Sequence, residues 1–155
     1  MIDSLLNRQA PSFNLMDVNK KSTSLKIFKG KWLVIFFYPK DNTPGCTKEV
    51  CLMRDDYNTI QSLGAQIIGI NTDTVDSHKQ FQKKHKLPFA LLSDTDGLIS
   101  RKYFALNKLF FIQFSKRRSF IIDPKGVIKK IYKSVDPAIH STEIISDLQL
   151  LQRKY

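Results

Sequence analysis

The chain has 155 residues, of which 42% are hydrophobic and 25% are charged. This length and composition predict one globular domain over residues 1–155 with a single hydrophobic core. The longest apolar-aromatic run, Trp32–Tyr38, is too short to span a bilayer. Residues 1–8 lack the apolar core and the small-residue cleavage site of a secretory signal. We therefore expect a cytoplasmic protein that makes no membrane contact.

The net charge of +11 and the isoelectric point near 9.7 are of the kind found in proteins that bind nucleic acid or other polyanions. However, lysine and arginine are spread along the chain and cluster only at residues 83–86 and 116–118, outside any nucleic-acid-binding motif. A solvated basic surface is the favoured interpretation, and no nucleic acid partner is expected. A basic, non-enzymatic nucleic-acid-binding protein is kept as an alternative function.

The first half of the chain predicts strands followed by one long helix. Short strands are expected near Phe13–Leu15 and Ser24–Leu25, on either side of a polar turn. Trp32–Tyr38 is continuous and rich in β-forming residues, which is typical of a strand buried on both faces. Pro39 ends this strand, and after a loop of turn residues a helix is predicted from about Cys46 to Leu63.

The second half continues the alternation of strands and helices. The predicted elements are a buried strand at 66–70, a polar helix ending at His85, a short strand at 89–92, a short helix at 98–103, strands at 119–122 and 127–132 joined by a four-residue turn, and a closing helix at about 141–153. This order indicates an α/β protein with a mixed central β-sheet and helices on both faces. We expect a thioredoxin-like fold, with the chemistry at the end of the Trp32–Tyr38 strand.

The chain has two cysteines, and Cys46 lies where a helix is expected to begin. Thr43 can cap that helix, and Pro44 suits its first turn because it has no N–H to leave unpaired. Free backbone N–H groups and the positive end of the helix dipole therefore converge on Cys46 and favour its thiolate form. The helix's apolar stripe shares the direction of Cys46, so the sulfur is expected to face the sheet; the stripe comprises Val50, Met53, Tyr57 and Ile60.

The second cysteine, Cys51, points about 140° away from Cys46 on an ideal helix, with Cα atoms roughly 8.6 Å apart. A disulfide requires about 7 Å or less. If both cysteines belong to one intact helix, the helix must therefore unwind before they can bond.

The segment from Phe37 to Cys51, Phe-Tyr-Pro-Lys-Asp-Asn-Thr-Pro-Gly-Cys-Thr-Lys-Glu-Val-Cys, resembles the active-site segment of peroxiredoxins. The subtype is that of the bacterioferritin comigratory protein, also called PrxQ. The resemblance extends through residues 10–15, 69–73, 91–94 and 117–123. It implies a thioredoxin-dependent thiol peroxidase that acts on hydrogen peroxide and organic hydroperoxides.

The resemblance also implies a role for five residues. Cys46 would be the peroxidatic nucleophile and Cys51 the resolving cysteine, the two forming an intramolecular disulfide. Thr43 would bind the peroxide, Pro39 would shield the sulfur from water, and Arg117 would activate both sulfur and peroxide. Thioredoxin or a similar dithiol would reduce the disulfide, no metal or other cofactor is implied, and we expect a monomer or a weak dimer.

Two further hypotheses compete with the peroxidase. A thioredoxin-like disulfide oxidoreductase would use Cys-x-x-Cys, and the spacing of Cys46 and Cys51 does not fit that motif. A metal site could recruit His78 and His85 besides the cysteines, but the set lacks a standard zinc spacing. The two histidines lie seven residues apart on a polar helix, so we expect them to face solvent.

The segment 104–114 is shorter and more hydrophobic than in the family that the chain resembles. Its sequence is Phe-Ala-Leu-Asn-Lys-Leu-Phe-Phe-Ile-Gln-Phe. Two interpretations stay open. A core or pocket wall is the favoured one, and an exposed patch for a partner, a second subunit or a bulky hydroperoxide is the other.

Overall fold

The computed structural model describes all residues from Met1 to Tyr155. It contains nine strands and five α-helices, besides two short 3-10 helices at Ile2–Leu5 and Leu25–Phe28. The strands are β1 (Asn14–Met16), β2 (Ser22–Ser24), β3 (Trp32–Phe37), β4 (Ala65–Asn71), β5 (Ala90–Ser93), β6 (Leu106–Leu109), β7 (Ile112–Ser115), β8 (Arg118–Ile122) and β9 (Ile128–Tyr132). The helices are α1 (Pro44–Asp55), α2 (Tyr57–Ser62), α3 (Val75–His85), α4 (Leu98–Lys102) and α5 (His140–Arg153).

Seven of the strands form one mixed sheet in the order β2-β1-β5-β4-β3-β8-β9. Strand β3 lies inside the sheet, parallel to β4 and antiparallel to β8. All six of its residues are buried, as the continuous apolar run predicted. A strand with paired neighbours on both sides is held firmly, so its carboxyl end is a rigid support for the loop that follows.

Side chains alternate across β3 and supply two cores, one on each face of the sheet. Val34 and Phe36 belong to the core that contains residues of α1, α2, α3 and α5. Leu33 and Ile35 belong to the opposite core, which contains Ile99 of α4. The predicted α/β architecture with a mixed sheet and helices on both faces is confirmed.

The helix predicted from Cys46 to Leu63 differs from the structure at its start and in its middle. It begins two residues earlier, at Pro44, and breaks at Asp56 into α1 and α2. At Asp56 the backbone leaves helical geometry (φ −95°, ψ 4°), and its carboxylate accepts a hydrogen bond from the Ser141 hydroxyl at 2.7 Å. This bond joins the break to the start of α5.

Strands β6 and β7 form a separate two-stranded hairpin built from the hydrophobic segment. Its tip faces outward, with Phe110 and Phe111 85% and 100% exposed. The favoured interpretation of this segment as core or pocket wall is therefore wrong for the tip, although Tyr103 and Ala105 just before the hairpin are buried. Hydrophobicity alone could not tell the two apart, because the hairpin lies outside the seven-stranded sheet and no other element covers its tip.

None of the five helices combines the length and the apolar character needed to cross a bilayer.

Candidate active site

The carboxyl end of β3 and the amino end of α1 meet around Cys46. The first helical hydrogen bond runs from the Thr47 N–H to the Thr43 carbonyl at 2.8 Å. The N–H groups of Gly45 and Cys46 come before that bond, where a helix leaves its donors free. The Cys46 side chain is fully buried and packs in the same core as Val50. The orientation toward the sheet that the apolar stripe predicted is confirmed.

Arg117 reaches Cys46 from the segment between β7 and β8. One guanidinium nitrogen (Nη2) donates to the Cys46 sulfur at 3.2 Å, and the other (Nη1) donates to Glu49 at 2.7 Å. Burial works against the guanidinium charge, but Cys46 and Glu49 outweigh it and raise the pKa of Arg117. Arg118 points the other way and donates to the carbonyls of Lys133 and Phe104, because adjacent side chains along a strand point to opposite faces.

Gly45 provides the room for this approach. A Cβ at this position would lie 3.2 Å from the nearer guanidinium nitrogen of Arg117. Any larger residue at position 45 therefore presses against the group that contacts the Cys46 sulfur.

Glu49 is the ion-pair partner of Arg117 and was not among the predicted site residues. It is 1% exposed, and one carboxylate oxygen (Oε1) accepts from Arg117 while the other (Oε2) has no hydrogen-bond partner. Burial raises its pKa to about 7, against the opposing effect of Arg117. The signal for it was present in the sequence, because Glu49 follows Cys46 by three residues and so shares its face of the helix.

Thr43 and Pro39 flank the loop that leads into α1. Thr43 occupies the cap position, but its hydroxyl donates to the Lys40 carbonyl at 2.8 Å and makes no capping bond. The expectation that the Thr43 side chain caps the helix is therefore wrong, because a carbonyl of its own loop competes for the hydroxyl. Pro39 directly follows the buried Tyr38 and is itself half-buried.

A buried polar network lies beneath this loop and was also missed. His78 is fully buried, with Nδ1 2.7 Å from the Asp41 carboxylate and Nε2 donating to the Leu92 carbonyl at 3.1 Å. The imidazole thus bridges the Asp41 carboxylate and the Leu92 carbonyl. Burial works against the carboxylate, but His78, together with the hydroxyls of Tyr38 and Ser77, outweighs it and lowers the pKa of Asp41. The expectation that His78 faces solvent is wrong, because the loop supplies a buried carboxylate partner.

The network also fixes the backbone of the loop. The Tyr38 hydroxyl donates to the Asp41 carboxylate at 2.5 Å, and the Asp41 N–H donates to Asp73 at 2.7 Å. The loop between β3 and α1 is thereby joined to the end of β4 and to α3. Its position relative to Cys46 depends on buried hydrogen bonds as well as on chain connectivity.

Cys51 lies on another face of α1, where it is half-buried and, like Cys46, a free cysteine. Its sulfur is 3.6 Å from Nδ1 of His85, the last residue of α3. His85 is half-buried rather than solvent-facing, so that prediction holds only in part. With His78 on Asp41 and His85 on Cys51, the structure does not bring the two cysteines and two histidines together in one cluster.

Known proteins share this sequence and fold. The sequence profile of the AhpC/TSA family matches residues 6–131. A chloroplastic peroxiredoxin Q of Populus jackii is 44% identical over 142 residues, 91% of this chain and 66% of that protein. A chloroplastic peroxiredoxin Q of Sedum lineare is 41% identical over 143 residues, 92% of this chain and 76% of that protein. The chain belongs to the peroxiredoxins, in the peroxiredoxin Q group.

A solved structure agrees with this membership. The crystal structure of peroxidoxin BcpB from Mycobacterium tuberculosis matches this peroxiredoxin with a TM-score of 0.88 at 26% identity, over 94% of this chain and 96% of that one. The resemblance and the thioredoxin-like fold predicted from sequence are confirmed. The peroxiredoxin spans 66% of the Populus jackii relative and 65% of a chloroplastic peroxiredoxin Q of Oryza sativa subsp. japonica.

The site of this peroxiredoxin places a sulfur out of bulk water and next to positive charge. The guanidinium of Arg117 lies 3.2 Å from the Cys46 sulfur, which stands in the first turn of α1. The same guanidinium is fixed by Glu49 and can donate to an oxygen that approaches the sulfur. The arrangement is suited to attack on a small electrophile that carries oxygen.

Proposed function

We propose that this peroxiredoxin is a thiol peroxidase that reduces hydrogen peroxide and organic hydroperoxides. The observation that carries the proposal is the 3.2 Å contact between Arg117 and the buried sulfur of Cys46. A guanidinium at this distance stabilises a thiolate and can polarise the O–O bond of a bound peroxide. The peroxiredoxin Q relatives support the same activity.

In the first step, the Cys46 thiolate attacks one peroxide oxygen and the O–O bond breaks. The sulfur becomes a sulfenic acid, and the other oxygen leaves with a proton as water or alcohol. We assign Thr43 to binding the peroxide; its hydroxyl, which donates to Lys40 here, can turn to a bound oxygen. We assign half-buried Pro39 to keeping water from the sulfur.

In the second step, Cys51 resolves the sulfenic acid. An S–S bond forms between Cys51 and Cys46, the S–O bond of the sulfenic acid breaks, and water leaves. Both cysteines lie on α1, so its first turns must unwind for this bond to form. A dithiol such as thioredoxin then reduces the disulfide by exchange.

Four further predictions from the sequence concern the location, the domain organisation, the oligomeric state and the partners of this peroxiredoxin. A cytoplasmic location, a single domain, a monomeric or weakly dimeric state and the absence of a nucleic acid partner stay predictions. The competing disulfide oxidoreductase is disfavoured, because Cys46 is fully buried whereas such an enzyme presents its first cysteine to a protein substrate.

Peroxide consumption in the presence of dithiothreitol tests the proposal. We expect catalytic turnover in the wild type and none in Cys46→Ser. When dithiothreitol is left out, Cys51→Ser should undergo one fast oxidation of Cys46. Arg117→Ala should slow the oxidation, while Arg118→Ala, which alters the neighbouring arginine on the opposite face, should leave it unchanged. Turnover that persists in Cys46→Ser would refute the proposal.

A further inference from the structure

The resolving cysteine has a specific partner that the steps above do not use. The Cys51 sulfur and Nδ1 of His85 are 3.6 Å apart, within hydrogen-bond distance for sulfur. Cys51 lies in the second half of α1, and His85 is the final residue of α3. The contact therefore joins two helices that pack on the same face of the sheet.

Two other contacts hold His85 in this position. Arg54, one turn after Cys51 on α1, donates to the His85 backbone carbonyl at 2.8 Å. The imidazole also packs edge-to-face against Phe81, with 5.1 Å between the ring centroids. The ring is thus fixed against α3 while its Nδ1 faces the Cys51 sulfur.

The charges around His85 favour its neutral form. Burial lowers the pKa of His85 below its ordinary value of 6.5, and the positive charges of Lys84 and Arg54 lower it further. Lys84 lies on α3 and Arg54 on α1, and neither helix places a carboxylate in contact with the ring. At neutral pH the ring is therefore uncharged, and Nδ1 can accept the thiol proton of Cys51.

We propose that His85 is the general base of the resolving step, taking the proton of Cys51 as its sulfur attacks the Cys46 sulfenic acid. This inference rests on the proposed function. The Cys51 S–H bond breaks and its proton moves to Nδ1, the S–S bond forms, and the S–O bond of Cys46 breaks. The hydroxide that leaves takes up one proton, so that the products are the disulfide and water, and the imidazolium returns its proton to solvent.

The required unwinding of α1 is compatible with this role. The first turns of the helix, Pro44–Val50, carry Cys46 and are the part that must move. Arg54 holds the following turn against α3 through the His85 carbonyl, and this anchor keeps Cys51 beside the imidazole. Cys46 then travels to Cys51, and the base stays in contact with the attacking sulfur.

Rapid-quench mass spectrometry tests the proposal by separating the two steps. Cys46 oxidation is followed as sulfenic acid formation, and resolution as loss of that species to the disulfide. In His85→Phe, which keeps an aromatic ring against Phe81, we expect unchanged Cys46 oxidation and resolution slowed about 100-fold at neutral pH. Lys83→Ala, which alters an exposed lysine on the same helix, is the matched control and should resolve at the wild-type rate.

The pH dependence distinguishes a base from a packing residue. Above about pH 8.5 a cysteine thiol ionises without help, so the defect of His85→Phe should shrink there. Resolution at the wild-type rate in His85→Phe, or a defect that stays constant up to about pH 10, would overturn the role of His85. If peroxide does not oxidise Cys46 even in the wild type, the proposed function itself fails, and that result is read from the first step alone.

Discussion

Replacing Glu49 by glutamine should change how the stability of this peroxiredoxin depends on pH. The carboxylate is 1% exposed, and its second oxygen has no hydrogen-bond partner. The amide introduced by Glu49→Gln would keep an oxygen to accept from Arg117 but would have no proton to lose. The substitution therefore isolates the free energy of ionising a buried carboxyl group.

The size of the effect follows from the pKa of Glu49. Burial raises this pKa from 4.5 to about 7 in the folded protein. Because each pH unit corresponds to about 1.4 kcal/mol, this difference amounts to about 3 kcal/mol of the free energy of unfolding. Because the pKa of Glu49 is higher in the folded protein than in the unfolded chain, the unfolded chain loses the Glu49 proton at a lower pH. The stabilisation is thus complete below pH 4.5 and is lost as the pH rises through about 7.

Urea unfolding of the reduced proteins between about pH 4.5 and 8.5 measures how the free energy of unfolding depends on pH. We expect the stability of Glu49→Gln to rise relative to wild type by about 3 kcal/mol across this range. The chain's other glutamate, Glu143, has a 42% exposed side chain, so Glu143→Gln serves as the matched control and should show no comparable change. The reasoning would be refuted if the free energies of unfolding of wild type and Glu49→Gln changed with pH in parallel, within about 0.5 kcal/mol.

Three further predictions concern the site and its loop. Arg117→Lys should slow the oxidation of Cys46 by peroxide roughly 100-fold in stopped-flow measurements, because one ammonium cannot reproduce the fixed contacts to Glu49 and Cys46. His78→Asn should lower the free energy of unfolding by about 3–5 kcal/mol, since it takes from the buried Asp41 carboxylate its contact with the imidazole. A loss below about 1 kcal/mol would contradict a stabilising contact between His78 and Asp41. Peroxide oxidation should accelerate amide hydrogen exchange in the first turns of α1, and unchanged protection there would exclude the unwinding step.

The sequence predicted the structure correctly where a short local pattern is compatible with only one or two local conformations. The apolar run of β3 predicted a strand buried on both faces. Thr-Pro-Gly before Cys46 predicted a helix start, and the apolar stripe of that helix predicted a sheltered sulfur. Both follow from chain geometry and hydrophobic burial within a few residues. Local patterns could not predict that Arg117 contacts Cys46, because the two residues are 71 positions apart. Only the resemblance to a family indicated that Arg117 belongs to the site.

The missed features depend on partners that are distant in sequence. His78 stands on a helix of polar composition, and its burial is explained only by Asp41, 37 residues earlier. Glu49 shares the buried face of α1 with Cys46, but its partner Arg117 lies 68 positions further along the chain. The exposed tip at Phe110 and Phe111 shows the opposite error, since apolar residues predict burial only where another element covers them.

Intact mass after one equivalent of hydrogen peroxide tests the central claim most directly. The wild-type protein should lose two hydrogens as Cys46 and Cys51 form their disulfide. Cys51→Ser should gain one oxygen as a sulfenic acid on Cys46, or more oxygen with further oxidation. A wild-type mass that stays unchanged at micromolar peroxide would contradict the assignment of this chain as a thiol peroxidase.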